Sequence, residues 1–378
     1  DENACNYNSL STINEDLSSC IYVEGNCDEC SGETDGTGTI IDNDSDDDGI
    51  CDEDEYYIFA LCEGNFQADN SSLWYFDNNE NVLEPENNPI GDIGQSMVVD
   101  GNVLYIILNG SGLIHVYDIV PSGIQFNRTI NLDFSGPRYM EVYNGYGFIT
   151  EWNTNQIRVI DLTTNVTVSK ISVAGMPEKI IMHENYFYVS VIRNSDGTAS
   201  EKVLKINPDT YTIEAEFSTA PNPSDLEIID GQLYVSSTYY DSYWNTFYAM
   251  TKIDLANGES IIFNDESGIG FKEDIFNVNG ELYRATNSGI IQLDLNNLNA
   301  ISGTEIGNYS DVYSVEFIDN QFYIGRTDYV APDNVDILDL SGNLINSYSV
   351  GAIPGSFAIW ENEVYRLRTL ELAKHRSY

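Results

Sequence analysis

The residues best equipped for chemistry lie near the start of the chain. Asp44, Asp46 and Asp48 alternate, Gly49 follows at once, and Asp52 and Glu55 fall at the ninth and twelfth positions counted from Asp44. Alternating carboxylates converge on a hard cation when a glycine lets the loop turn tightly, and position seven, Ile50, would add its backbone carbonyl. The spacing therefore predicts a Ca2+ loop built from Asp44, Asp46, Asp48, Ile50, Asp52 and Glu55. The competing reading is a solvated acidic linker. The flanking segments are not helical in pattern, so a helix–loop–helix pair is not expected.

Five of the six cysteines, Cys5, Cys20, Cys27, Cys30 and Cys51, lie in the first 55 residues, and Cys62 follows closely. A cysteine-dense segment without a hydrophobic pattern is normally stapled, and in a secreted chain disulfides are the default. All six are candidates, and spacing alone does not choose among the pairings. Cys27-x-x-Cys30 has no second C-x-x-C and no surrounding βαβ pattern, which argues against a zinc or thioredoxin-type site.

Other chemistry is excluded. Three scattered histidines, His115, His183 and His375, cannot form a multi-histidine zinc centre, and no lysine follows a glycine as a P-loop requires. A G-x-S-x-G nucleophile elbow is also missing. Sixteen Lys and Arg against 61 Asp and Glu give a net charge of −45 over 378 residues. A field of that sign repels phosphate backbones and anionic membranes, so nucleic-acid binding is not expected. The longest apolar run, near Val103–Leu108, is far short of the ~20 residues that cross a bilayer. Direct membrane insertion is not expected either.

The elements that would position a site show themselves as a repeat. Residue pairs that close tight hairpins recur at Asp100-Gly101, Asn144-Gly145, Glu184-Asn185, Asp230-Gly231, Asn279-Gly280, Asp319-Asn320 and Glu361-Asn362. Each is followed by an aromatic: Tyr105, Phe148, Tyr188, Tyr234, Tyr283, Tyr323 and Tyr365. A second anchor, an acidic or amide residue ending a strand, runs in step at Asp77, Asp118, Asp161, Asn207, Asp254, Asp294 and Asp339. Intervals of 40–49 residues containing four strands are the period of a β-propeller blade. The expected fold is all-β: a seven-bladed β-propeller over residues 56–366, preceded by a disulfide-rich, calcium-binding module over 1–55. An atypical basic tail follows at 367–378. One blade should combine both ends of the propeller segment. Ser356–Trp360 is its innermost strand, and Tyr57–Cys62 is favoured over Glu363–Arg366 as its second.

The repeat resembles the YVTN-type propeller family, through Gln156–Asp161, Thr163-Thr164-Asn165 and Gly175-Met176-Pro177-Glu178. Glu63-Gly64-Asn65-Phe66 and Asn88–Ser96 resemble a Bacteroidetes surface-protein branch of that family. Asp42–Asp52 looks like a thrombospondin type 3 calcium repeat. The surrounding cysteines are similar to modules of secreted Bacteroidetes proteins. The resemblance implies a secreted or cell-surface protein and leaves activity open, because propellers host many functions.

In such a fold the loops leading into the innermost strands ring the channel mouth. They place Gln95, Arg138, Glu178, Ser224, Glu273, Tyr313 and Gly355 there, followed by Ser96, Tyr139, Lys179, Asp225, Asp274, Ser314 and Ser356. Trp152, Trp244 and Arg326 sit on the second set of loops facing the same side. The expectation is a polar, aromatic-lined pocket of mixed charge, suited to a carbohydrate or a carboxylate-bearing peptide. The alternative is that its cations merely pair with Glu178, Asp225, Glu273 and Asp274.

Two functional readings follow. The first is a non-enzymatic extracellular or cell-surface binding and scaffold protein whose partner is a surface protein or glycan. The second is a calcium-dependent lyase or hydrolase acting on a polysaccharide or cyclic ester, which would need mouth carboxylates facing a pocket with one held protonated. A third, assembly into a filament or surface layer, has no interface visible in sequence.

Overall fold

A computed structural model describes residues 3–10, 20–23, 25, 27–44, 50–52, 55–77, 79, 81–85 and 87–362. Seven antiparallel sheets form the blades of a β-propeller. Among the described residues there is no α-helix. Counted in chain order from the closing blade that contains Tyr56–Cys62, blades one to five and blade seven have four strands; blade six has three, Phe271–Val278, Glu281–Thr286 and Gly289–Leu293. Isolated bridges Ile290–Ile306 and Leu293–Ala300 occupy the place of its fourth strand.

Turn chemistry makes the hairpins. At Asn144-Gly145, Glu184-Asn185, Asp230-Gly231, Asn279-Gly280 and Asp319-Asn320 both central residues have positive φ, the geometry that matches strand twist. At the first hairpin Asp100 pairs with Val103, so the turn slips by one residue to Gly101–Asn102. Glu361-Asn362 departs from the expectation more fully: Glu361 pairs with Tyr56 instead of opening a hairpin. Tyr365 lies outside the described residues. The second anchor works through side-chain oxygens. Asp161 Oδ1 accepts from the backbone N–H groups of Thr163 and Thr164, and Asn207 and Asp339 fold their turns in the same way.

Blade strands are buried on both faces, because each blade is flanked by two others. Tyr56–Cys62 is accordingly an almost unbroken apolar run, with six of its seven residues buried. Seven hydrophobic clusters fill the seven junctions. The one between blades four and five, for instance, packs Tyr188 and Val203 against Leu233 and Ile253. The ring closes by joining Pro354–Glu361, as innermost strand, to Tyr56–Cys62, Ser72–Phe76 and Val82–Leu83. Trp360 stacks on Tyr57 across that seam, with ring centroids 5.5 Å apart.

The described residues of the N-terminal region bury almost no apolar core and are held by disulfides Cys5–Cys30 and Cys27–Cys51. A two-stranded ladder among them pairs Glu29–Cys30 with Ile40–Ile41. Of the six disulfide candidates, Cys20 and Cys62 are free thiols, a correction for those two. Cys62 lies inside the ladder of the closing blade, between Pro354 and Ser72, where no other cysteine reaches it. Burial pushes its thiol up to about 12, against an opposing hydrogen bond with Ser72.

Candidate functional site at the channel mouth

Every innermost strand carries a register shift where it meets its second strand, and always at the end that rims the channel. The shifts fall at Gly94/Ser96, Pro137/Met140, Pro177/Ile180, Pro223/Leu226, Phe271/Ile275, Val312/Ser314 and Pro354/Ser356. A bulge re-aims side chains and frees backbone groups from the ladder. Here the re-aimed residues are the predicted ring residues.

The freed backbone groups are caught by hydroxyls that join one blade to the next. Thr150 Oγ1 accepts from Tyr139 N–H and donates to Glu178 C=O in the following blade. Ser190 does the same between Lys179 N–H and Ser224 C=O, and Ser236 between Asp225 N–H and Glu273 C=O. Each of these hydroxyls stands five positions after the second residue of its hairpin pair. That phase is a feature of the sequence itself. Asp225 and Asp274 extend the linkage, accepting from Ile275 N–H and Val315 N–H in the next blade.

Two connected cavities result. The outer one, about 410 Å3, is lined by Gln95, Arg138, Glu178, Glu273, Asp274 and Tyr313, with Glu63, Tyr240, Tyr248 and Phe271 added by the structure. The inner one, about 300 Å3, is walled by Tyr139, Lys179, Asp225, Asp274, Ser314 and Ser356. It also exposes Glu141, Glu227 and Glu316, one strand period deeper. Sequence reading missed these three glutamates, although simple alternation from Tyr139, Asp225 and Ser314 reaches each of them.

The charges on one side of the mouth are committed to each other. Arg138 forms an ion pair with Glu178 at 2.6 Å and also donates to Gln95 Oε1. Its guanidinium lies 3.9 Å from the centre of the Trp152 ring, and Trp152 Nε1 donates to Glu178 Oε2 at 2.7 Å. Burial alone would lower the Arg138 guanidinium, but Glu178 outweighs it and leaves it raised. Lys179 pairs with Asp225 at 3.2 Å. Burial works against its ammonium too, and Asp225, with Tyr139 and Glu316 behind it, more than reverses the effect.

Elsewhere around the channel carboxyls outnumber the cations that reach them. Among the described residues neither Glu273 nor Asp274 forms an ion pair. Glu273 keeps part of its surface open to the mouth, yet the surrounding protein withdraws bulk water, and with Glu178 nearby its carboxyl is raised. Asp274 is raised well above the usual range by burial and by Asp225, Glu273 and Glu316. Glu63, which accepts from Tyr313 Oη at 2.9 Å, is raised by burial. Burial pushes Glu141, Glu227 and Glu316 each up to about 7.

Other predicted mouth residues lie elsewhere. Arg326 lines neither cavity; it bridges Asp311 and Asp336, both at 2.9 Å, within the seventh blade. Trp152 serves as the wall behind Arg138. Trp244 belongs to an adjoining groove. Arg284 is buried and donates to the carbonyls of Lys272, Ala249 and Ser237.

Of the predicted calcium ligands, Asp46 and Asp48 lie outside the described residues. The described ends of that loop are drawn together. Asp52 N–H donates to Asn43 C=O at 2.7 Å, Asn43 Nδ2 donates to Cys27 C=O, and the Cys27–Cys51 disulfide clamps the same place. Of the remaining predicted ligands, Asp44, Ile50 and Asp52 flank that junction and Glu55 is buried. Among the described residues no group of three or more His, Cys, Asp or Glu converges as a metal site.

No protein-family model matches the chain, and no curated protein matches it. Solved structures do. A Bacteroides fragilis protein described as a candidate 6-phosphogluconolactonase is 13% identical with a TM-score of 0.58, covering 80% of this chain and 98% of its own. Hydrazine synthase from Kuenenia stuttgartiensis is 14% identical with a TM-score of 0.53, over 72% of this chain and 96% of its own. Apo AztD from Citrobacter koseri is 11% identical with a TM-score of 0.51, over 81% and 98%. At these identities the likeness is one of fold, and it is to proteins built on propellers.

Proposed function

We propose that this chain is an extracellular or cell-surface binding protein that recognises a partner, a surface protein or glycan, at the propeller mouth. Two disulfides fit an oxidising compartment. The observation that carries the reading is the division of charge at the mouth. Arg138 and Lys179 are already held by Glu178 and Asp225, so they do not offer themselves to a carboxylate ligand. Glu273 and Asp274 have no such partner, and aromatic rings of Tyr240, Tyr248 and Tyr313 rim the same cavity. A cationic group on the partner would gain both carboxylates and ring faces. The N-terminal loop around Asp44–Glu55 would hold Ca2+ and stiffen the disulfide-linked region next to the propeller.

Surface plasmon resonance with a lysine-rich and a glutamate-rich peptide of equal length tests the mouth. The lysine-rich peptide should bind, weaken with salt, and weaken again in Glu273→Gln/Asp274→Asn. Equal responses from both peptides would remove the reading. Thermal unfolding with Ca2+ and with chelator tests the loop: a chelator-reversible upward shift is expected, and identical curves would reduce Asp44–Glu55 to an acidic linker.

A second reading has its own observation. Glu273 and Asp274 line a cavity, Asp274 the more enclosed of the two, and both are held toward the protonated form, as a general acid requires. That favours a hydrolase or lyase acting on a polysaccharide or cyclic ester. Turnover of a lactone by the chain, abolished in Asp274→Asn, would establish it.

A further inference from the structure

A groove of about 520 Å3 opens beside the mouth, between the long loops of blades four and five. It lies off the channel, and Tyr240 is the one ring shared with the outer cavity. We infer that this groove is a binding site for a neutral saccharide, stacked on Tyr240 and Trp244 and hydrogen-bonded by Arg193, Glu201 and Asn222. The inference rests on reading the chain as a recognition protein and names a ligand class for a second place on it.

The rings come first. Trp244 is 80% exposed and Tyr240 54%, and their centroids stand 6.1 Å apart at a 52° tilt. Two tilted, water-facing rings make the corner of a slot. Adjacent exposed rings forming one contiguous patch beside a groove are the kind of surface that marks an interaction site. Their loop is also built to hold that pose. Asp241 Oδ1 accepts from Tyr243 N–H and Asn245 N–H, Asp241 Oδ2 accepts from Asn245 Nδ2, and Trp244 N–H donates to Asp241 C=O. Trp244 itself sits at φ 65, a conformation a bulky residue adopts at a cost. Beneath it Tyr239 stacks on Phe247 at 5.6 Å, backing the hairpin that carries the rings.

The polar wall suits hydroxyls. Arg193 donates from Nη1 to Gly197 C=O and keeps further N–H donors of its planar fork toward water. Glu201 is exposed and supplies acceptors. Asn222 uses its Nδ2 on Thr238 C=O, which leaves Oδ1 as an acceptor facing the groove. Planar donor and acceptor groups side by side read vicinal hydroxyls, each of which donates and accepts. Tyr239 pairs with Phe247, Tyr240 with Thr246, and Arg193 with Ala199, so one side of each of these strands is already taken up in a ladder where it reaches the groove. The net charge of −45 disfavours acidic polysaccharides.

The test is tryptophan-fluorescence and calorimetric titration of the whole chain with cellotetraose, laminaritetraose and mannotetraose. At least one should bind and quench. Trp244→Ala should then weaken it about tenfold or more, and Tyr240→Ala should weaken it independently; both rings face water, so circular dichroism should stay unchanged. Glu273→Gln/Asp274→Asn should leave saccharide binding intact, which separates this site from the mouth. Failure of all three sugars to bind, or binding unaffected by Trp244→Ala and Tyr240→Ala, would overturn the inference. Loss only in the mouth variant would overturn it as well and move the sugar to the channel. Binding of the lysine-rich peptide that depends on Trp244 would replace the saccharide with a peptide.

Discussion

The two sides of the channel mouth are made from the same strand position and have opposite chemistry. On the side of blades two to four, Gln95, Arg138, Glu178 and Trp152 satisfy one another in a closed network. On the side of blades five to seven, Asp225, Glu273, Asp274 and Glu316 face each other, and among the described residues only Asp225 of the four is held by an ion pair, with Lys179. The first arrangement is structural: its charges are spent inside the fold. The second leaves electrostatic repulsion standing, which a fold tolerates when protons or a partner relieve it. A residue's charge therefore says little about recognition until its partners are known.

Four experiments bear on that contrast. Arg138→Ala should break the closed side most severely, because it leaves Glu178 buried with its ion-pair partner gone; removal of one member of such a pair costs about 3–5 kcal/mol, read as a lower denaturant midpoint at constant slope. Ser236→Ala comes next. It strips a hydrogen bond from Asp225 N–H and from Glu273 C=O at once, at about 1–3 kcal/mol; an unchanged midpoint would mean water takes over both. The third is pH. Glu141, Glu227 and Glu316 are raised to about 7 in the folded chain, so the fold binds more protons than the unfolded chain. The stability they contribute is fully present below their ordinary values near 4.5 and is lost as pH rises through 7. Melting temperature should fall between pH 5 and pH 8, and Glu227→Gln/Glu316→Gln should flatten that fall, by on the order of 1 kcal/mol per group. The smallest effect is expected from Arg326→Gln. It touches neither cavity, so its peptide and saccharide binding should match the unaltered chain within error.

How much of this was legible depended on whether the cause was local. Asn144-Gly145 and Asp161 announce themselves because positive φ and side-chain turn bonds are requirements of a few adjacent residues. Two such signals in phase identified the blade, and the loops entering each innermost strand brought Arg138, Glu178, Asp225, Asp274 and Tyr313 to the channel. Glu141, Glu227 and Glu316 needed one step of strand alternation beyond those loops. The partners of the charges were half legible. Pairing of the mouth cations with Glu178 and Asp225 stood as one alternative, but that Arg326 turns to Asp311 and Asp336 inside its own blade depends on distances which no spacing encodes. Cysteine pairing failed to show for the same reason: Cys62 belongs by sequence to the cysteine-rich stretch and by position to a blade.

The seam of the ring has a mechanical consequence. Tyr56 pairs with Glu361, and Asn362 N–H donates to Glu55 C=O, so the chain enters and leaves the propeller at one corner of one blade. Tension applied at Glu55 and Asn362 would pass through that corner and bypass the other six blades. The load would meet the antiparallel ladder of Tyr56–Cys62 with Pro354–Glu361 from its end, peeling its hydrogen bonds singly and not shearing them together. Strung within a pulled filament, the propeller would hang as a bead whose weakest link is its clasp, and unclasping would bring the hidden Cys62 thiol into water as the record of the event.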